Sequence, residues 1–330
     1  MDGALFTFVR RRVLRLITVA LILPSNSSPL GALPARFRRQ RVLIVGCGDV
    51  GQRVAGLLPS RVRVVALTSS PERESVLRAQ GILPLPGNLD VPASLRRLSG
   101  LAHRVLHLAP PPTVDPLSQH DPRSRALLCA LRLRSLPQVV VYGSTSGVYG
   151  DCAGQQIDET RPVAPGTARA FRRVHAETLL RNFGRSAGVA VHALRIPGIY
   201  APNRAGGTPR DRLGKGTPAL QASDDVYTNH IHADDLARAA LAAMWRGKPQ
   251  RITNVSDDTD LKMGDYFDLA ADLYGLARPA RISRAKAITD LPAMQLSFMS
   301  ESRRLSNQRM KQELRLALRY PTVRDGLTAR

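Results

Sequence analysis

Short apolar runs alternate along this chain with longer stretches in which apolar positions recur every three or four residues, the periodicities of buried strands and amphipathic helices. Val42-Leu43-Ile44-Val45 is the first run, and Val50 and Val54 continue it at helical spacing. Val62 to Leu67 predicts a second strand, Glu72 to Gln80 a helix, Ile82 to Pro86 a third strand and Ser94 to Ser99 a short helix. A fourth strand is predicted at Val105 to Ala109, a helix at Ser124 to Leu133, and a fifth strand from Gln138 into the hydroxyl-rich Ser144-Thr145-Ser146. Strands separated by helices in this way predict an α/β fold: a doubly wound, mostly parallel sheet covered on both faces, with any ligand at the carboxyl ends of the strands.

The break between the first strand and the first helix carries Gly46, Gly48 and Gly51. A turn this short beside a pyrophosphate has no room for side chains, so Gly46 would make the turn, Gly48 would admit the phosphates and Gly51 would let helix pack on strand. The N–H groups at the helix start, around Asp49 and Val50, would receive the anion. The reading is a Rossmann-type dinucleotide site. At the end of the second strand stand Thr68, Ser69 and Ser70, with Arg73 close behind and no carboxylate among the three. Ribose hydroxyls favour a carboxylate here and a ribose phosphate favours small polar and cationic groups, so NADP is slightly favoured over NAD, with Ser69 and Arg73 as the selecting residues. Asn88 and Leu89 would reach the adenine, and Ala109 with Pro110 opens a proline run, Pro110-Pro111-Pro112, that walls the nicotinamide edge.

Beyond Tyr200 the alternation loosens into glycine- and proline-marked loops. Asp234 to Arg246 reads as an amphipathic helix with an acidic start that packs back on the sheet. Ile252 to Val255 reads as a late strand, Lys262 to Tyr274 as a helix, and the stretch near Gln308 to Leu316 as a final helix. Residues 40–203 are accordingly expected to form the dinucleotide-binding domain, and 204–330 a smaller substrate-side domain with some segments returning to the sheet.

Composition changes this picture little. The formal charge is +22, almost wholly from scattered arginine, without a basic block joined to aromatics, so no nucleic-acid partner is expected. Three cysteines, Cys47, Cys129 and Cys152, lie far apart and make neither a disulfide framework nor a metal site. Residues 1–39 read as a disordered extension outside the core. Arg10-Arg11-Arg12 before an apolar stretch outlines a signal sequence, but Arg15 interrupts it and no small-x-small cleavage site follows, so neither export nor stable membrane insertion is expected. A cytoplasmic protein acting on a small molecule fits best, with homodimerisation left open.

Several motifs in this order resemble those of the extended short-chain dehydrogenase/reductases, the group that includes nucleotide-sugar epimerases and dehydratases. They are VLIVGCGDVG, GNLD, HLAPPP, VVYGSTSGVYGD, Glu159-x-x-Pro162-x-x-Pro165, the stretch from Leu194 through Pro197 to Pro202, Asn229 to Ala237, and Asn254-Val255-Ser256-Asp257. The resemblance implies hydride exchange with a nicotinamide, with Pro197 and the position of Arg173 at the cofactor. It also implies a tyrosine acid/base, a lysine four residues later and a Ser/Thr that orients the substrate oxygen. Thr145, with Ser144 beside it, matches the hydroxyl position. Taking Glu177 as the family's helical glutamate puts the lysine position at Arg173 and the tyrosine position at Arg169. A guanidinium can donate to a ribose but is a poor proton carrier. The glycine spacing departs too, because Val45 replaces the first glycine of the usual even spacing. Tyr149, Tyr200, Tyr227, His175 and His232 are the remaining side chains that folding could bring to the site. The expected function is an epimerase/dehydratase-like oxidoreductase on a sugar derivative or small hydroxy or keto compound, its proton carrier unassigned. The alternative is a catalytically inactive NAD(P)-binding redox sensor or interaction protein.

Overall fold

The computed structural model describes residues 40–113 and 118–329; the expected N-terminal extension lies outside the described residues. Seven strands form the central sheet: β1 (Arg41–Val45), β2 (Arg63–Thr68), β3 (Leu83–Pro86), β4 (Arg104–His107), β5 (Val139–Thr145), β6 (Ala190–Ile196) and β7 (Arg251–Asn254). Their spatial order is β3-β2-β1-β4-β5-β6-β7, and every neighbouring pair is parallel. The chain moves outward from β1 to β3, then returns to the other side of β1 as β4. That reversal leaves a crevice at the carboxyl ends of β1 and β4.

Burial on both faces explains why β1 is continuously apolar from Val42 to Val45 rather than alternating. Val42 and Ile44 join one layer with α1 (Asp49–Leu57) and α5 (Ala233–Arg246, fifth of the longer helices), contributing Val54, Leu236 and Ala240. Leu43 and Val45 join the other with α3 (Pro122–Leu131) and α4 (Ala168–Ala187), through Leu127, Leu180 and Phe183. Between them in sequence, α2 (Glu74–Ala79) links β2 to β3. A further apolar cluster joins Tyr200, Leu213 and Leu220 to Met263 and Phe267 of α6 (Met263–Tyr274). The helix expected at 234–246 does pack on the sheet, as α5.

Element boundaries differ where turn chemistry overrides periodicity. The helix expected from Ser124 starts at Pro122, because Asp121 accepts hydrogen bonds from the Arg123 and Ser124 N–H groups and proline suits the first helical position. It ends at Leu131. The segment from Glu72 is split, with a 3-10 turn at Pro71–Arg73 leading into α2. The last expected helix stops at Glu313, and Arg315 beyond it takes a left-handed φ of 52°. Among the described residues no helix is long and apolar enough to cross a membrane.

Leu106, in the centre of β4, has no exposed surface. Leu106→Ala should cost about 2–5 kcal/mol of unfolding free energy, read from denaturant titration. A cost below about 1 kcal/mol would be inconsistent with a packed layer at that point.

Candidate functional site

The crevice is built from the glycine turn upward. Gly46 has φ +84°, and a Cβ placed there would lie 2.4 Å from the Ala109 nitrogen. Two backbones therefore touch, and Ala109 N–H donates to the Val45 carbonyl at 3.1 Å. Gly48, the N-cap of α1, is glycine for a different reason. A Cβ there would meet nothing within 4 Å among the described residues, so protein packing does not require glycine at that position. The first helical bond runs from Gln52 N–H to the Gly48 carbonyl, leaving the N–H groups of Asp49, Val50 and Gly51 at the helix start without a helical acceptor. These backbone donors and the helix dipole face the crevice.

The facing wall comes from the end of β5, the first turns of α4 and the exit of β6. Ser144, Thr145, Arg169, Arg173 and Pro197 line it, so the structure gathers the glycine turn, the hydroxyl pair and Arg173 into one crevice of about 230 Å³. Among the described residues, the charged groups lining it are one carboxylate, Asp49, and three guanidinium groups, Arg169, Arg173 and Arg204. Such an excess of positive charge favours an anion. The remaining sequence candidates lie outside this wall. Arg73 rests on the glycine turn, its Nη2 donating to the Cys47 carbonyl at 2.6 Å, while Ser69 is exposed beyond β2. Asn88 accepts from Asp90 N–H at 2.9 Å, Leu89 is buried, and the Pro110 carbonyl accepts from Arg123 at 3.1 Å. Cys47 is buried, which pushes its thiol up to about 11 and makes it inert.

The two hydroxyls have different fates. Ser144 donates to Glu177 at 2.5 Å and is buried, so its proton is committed. Glu177 also takes a buried ion pair from Arg195 at 2.8 Å, and the Arg195 guanidinium lies 4.6 Å from the centre of the Tyr149 ring. Tyr149 in turn donates to Asn254 Oδ1 at 2.7 Å. Thr145 accepts from Gly147 N–H at 3.3 Å, which leaves its own O–H free to donate into the crevice.

None of the alternative proton carriers lines the crevice. Besides the buried Tyr149, Tyr200 donates to the Thr322 carbonyl at 3.1 Å. Tyr227 stacks under Arg304, His175 accepts from Asp121 N–H at 2.9 Å, and His232 caps α5 through Asp234 N–H at 3.2 Å. Sequence reasoning missed Arg53 and Arg204. Arg53 holds Asp49 at 3.0 Å and also reaches Asp234 and Asn203, while Arg204 pairs with Asp49 at 2.7 Å. The only signal of the first was its place one turn after Asp49; the second sits in a loop whose approach to α1 no local pattern reports. A larger groove, edged by Gln40, Val62 and Trp245, lies at the amino ends of the strands, away from this chemistry.

The chain belongs to the NAD dependent epimerase/dehydratase family, whose model matches residues 42–256. It is 25% identical over 146 residues to human dTDP-D-glucose 4,6-dehydratase, covering 42% of this chain and 40% of that one. It is 22% identical over 175 residues to a putative UDP-glucose 4-epimerase of Methanocaldococcus jannaschii, covering 50% and 54%. The matches thus span about half or less of those curated relatives. Among solved structures, a conserved protein of unknown function from Silicibacter pomeroyi is 30% identical with a TM-score of 0.72, covering 87% of this chain and 96% of that one. The UDP-glucose 4-epimerase of Thermotoga maritima, solved with UDP-glucose, shares the fold at 18% identity and a TM-score of 0.71, with the same coverage.

Two stability measurements probe the buried polar groups behind this crevice. Arg195→Met should cost about 3–5 kcal/mol by stranding the Glu177 carboxylate, and adding Glu177→Leu should recover most of it; equal losses in single and double variants would contradict a paired site. His107, at the end of β4, is driven down to about 3 by burial, with the Arg173 charge adding to it. Its folded value lies below the unfolded one, so its contribution is complete above about pH 6.5 and is lost as pH falls toward 3, at up to about 1.4 kcal/mol per pH unit. Denaturation at a series of pH values should show a shallower acid limb for His107→Asn, and an unchanged slope would refute the assignment.

Proposed function

We propose that this protein binds NAD(P), NADP in preference, and is an epimerase/dehydratase-type oxidoreductase acting on a sugar nucleotide or related hydroxy or keto compound. What carries the cofactor reading is Gly48: its side chain is absent where nothing in the protein would collide with one, directly over free helix N–H groups. The residues present fit a dinucleotide. Gly46, Gly48, Asp49, Val50 and Gly51 would hold the pyrophosphate through backbone, Arg173 the nicotinamide ribose, and Asn88, Leu89, Ala109, Pro110 and Pro197 the flanks of adenine and nicotinamide. Ser69 and Arg73 would take the ribose phosphate, since none of Thr68, Ser69 and Ser70 at the end of β2 is a carboxylate. The nicotinamide, when bound, supplies a hydride acceptor or donor. Thr145 would orient the substrate oxygen with its free O–H, and Ser144 would act behind it by fixing Glu177. In this reading residues 40–203 carry the cofactor and the later part of the chain mainly selects the substrate, as sugar-nucleotide binding by a structural neighbour suggests.

A second reading is favoured by one observation. Arg169 and Arg173, one turn apart on α4, occupy the positions at which the family resemblance expects tyrosine and lysine. A guanidinium stays charged at any working pH and cannot shuttle the proton, so binding without turnover, as a redox-state sensor or interaction protein, is the alternative.

Calorimetric titration with NADPH and NADH, followed by a carbonyl and nucleotide-sugar screen, separates these readings. NADPH should bind more tightly than NADH, Gly48→Val should abolish binding of both, and Arg73→Ala should remove the preference. Normal affinity in Gly48→Val would refute the assignment of the turn.

A further inference from the structure

The loop after β6 brings an arginine to the start of the phosphate-facing helix from the opposite side of the crevice. It is closed on itself by Ala201 N–H to the Gly207 carbonyl (3.1 Å), Arg204 N–H to the Ala201 carbonyl (3.2 Å) and Gly207 N–H to the Arg204 carbonyl (2.9 Å). It is also tight, because a Cβ at Gly207 would sit 2.7 Å from the Arg204 Cβ. The loop therefore holds its shape by backbone bonds, and the pair between Arg204 and Asp49 is not needed to fold it. Arg53, which reaches Asn203 at 2.6 Å, already ties the loop to α1. The Arg204 guanidinium nevertheless lies on the crevice wall, engaged by Asp49, the one carboxylate among the described residues that line it. Across the crevice Arg173, 7% exposed, has a buried Nε without a hydrogen-bond partner.

A carboxylate in the first turn of a phosphate-binding helix repels the anion it would receive, and a mobile cation held on it can change partners. We propose that Arg204 is a latch for the pyrophosphate: its side chain exchanges Asp49 for phosphate oxygens when the dinucleotide enters, on a 201–207 loop that keeps its shape. This rests on the reading that the crevice takes NAD(P), and it adds a cationic contact outside the glycine turn. Phosphate suits a guanidinium better than a single carboxylate oxygen at 2.7 Å does, since the planar fork can engage two oxygens at once.

The test uses two variants that break the same ion pair from opposite ends. If Arg204 reads phosphate, Arg204→Ala should weaken NADPH binding about tenfold or more, Arg204→Lys should fall between it and the unaltered protein, and Asp49→Asn should bind at least as tightly as the unaltered protein. If the pair merely staples the loop, Arg204→Ala and Asp49→Asn should weaken binding alike, and that result, or undiminished affinity in Arg204→Ala, overturns the proposal while leaving the cofactor reading intact. Should Arg204→Ala fail to fold by thermal melting, Arg204→Gln, which keeps most of the side chain's length, takes its place with the same expectation. An unaltered protein that binds neither NADPH nor NADH overturns both.

Discussion

The contact between Gly46 and Ala109 is the constraint on which the site depends. The sheet reverses its direction of growth at β1, and at that point the end of β1 and the segment after β4 close to backbone contact. With the crevice shut below, the glycine turn rises at its floor and α1 begins with unpaired N–H groups aimed upward. Everything chemically notable stands within reach of that opening: the hydroxyls at the end of β5, the guanidinium groups of α4 and the loop arginine. A side chain at Gly46 would push β1 and β4 apart and move all of them together.

Behind this wall, polar groups are used for position rather than reaction. The network from Ser144 through Glu177 and Arg195 to Tyr149 and Asn254 spans β5, α4, β6 and β7. A buried ion pair adds little net stability, but each member here satisfies another, and breaking one end strands a charge. Its effect on the site is to remove Ser144 and Tyr149 from the list of groups free to act. Thr145 is left as the hydroxyl with an uncommitted proton, beside arginines that are poor proton carriers. The site is thus well equipped to hold an anionic ligand and sparsely equipped for acid/base work.

Much of the scaffold was legible in the sequence because it follows from short-range physics. Two-sided burial made β1 a continuous apolar run, and the helix expected at 234–246 showed its sheet-facing side as a periodic stripe. α3 starts two residues before the position periodicity predicts, because Asp121 capping is a local hydrogen bond that hydrophobic periodicity does not register, and the final helix ends before the left-handed Arg315 that periodicity runs across. The glycine turn, Thr145 and Arg173 could be placed together from their motifs. Arg204 could not, since it reaches Asp49 across 155 positions of sequence from a loop with no periodicity. Nor could the commitment of Ser144 be read, because its partner Glu177 lies on another element.

The most direct measurement is a crystal structure of the protein grown with NADPH. The pyrophosphate should lie over Gly48 with its oxygens on the N–H groups at the start of α1, and the nicotinamide should lie toward Thr145. A dinucleotide bound elsewhere while this crevice stays empty, or no dinucleotide bound at saturating concentration, would contradict the central claim that the β1–β4 reversal builds a cofactor site.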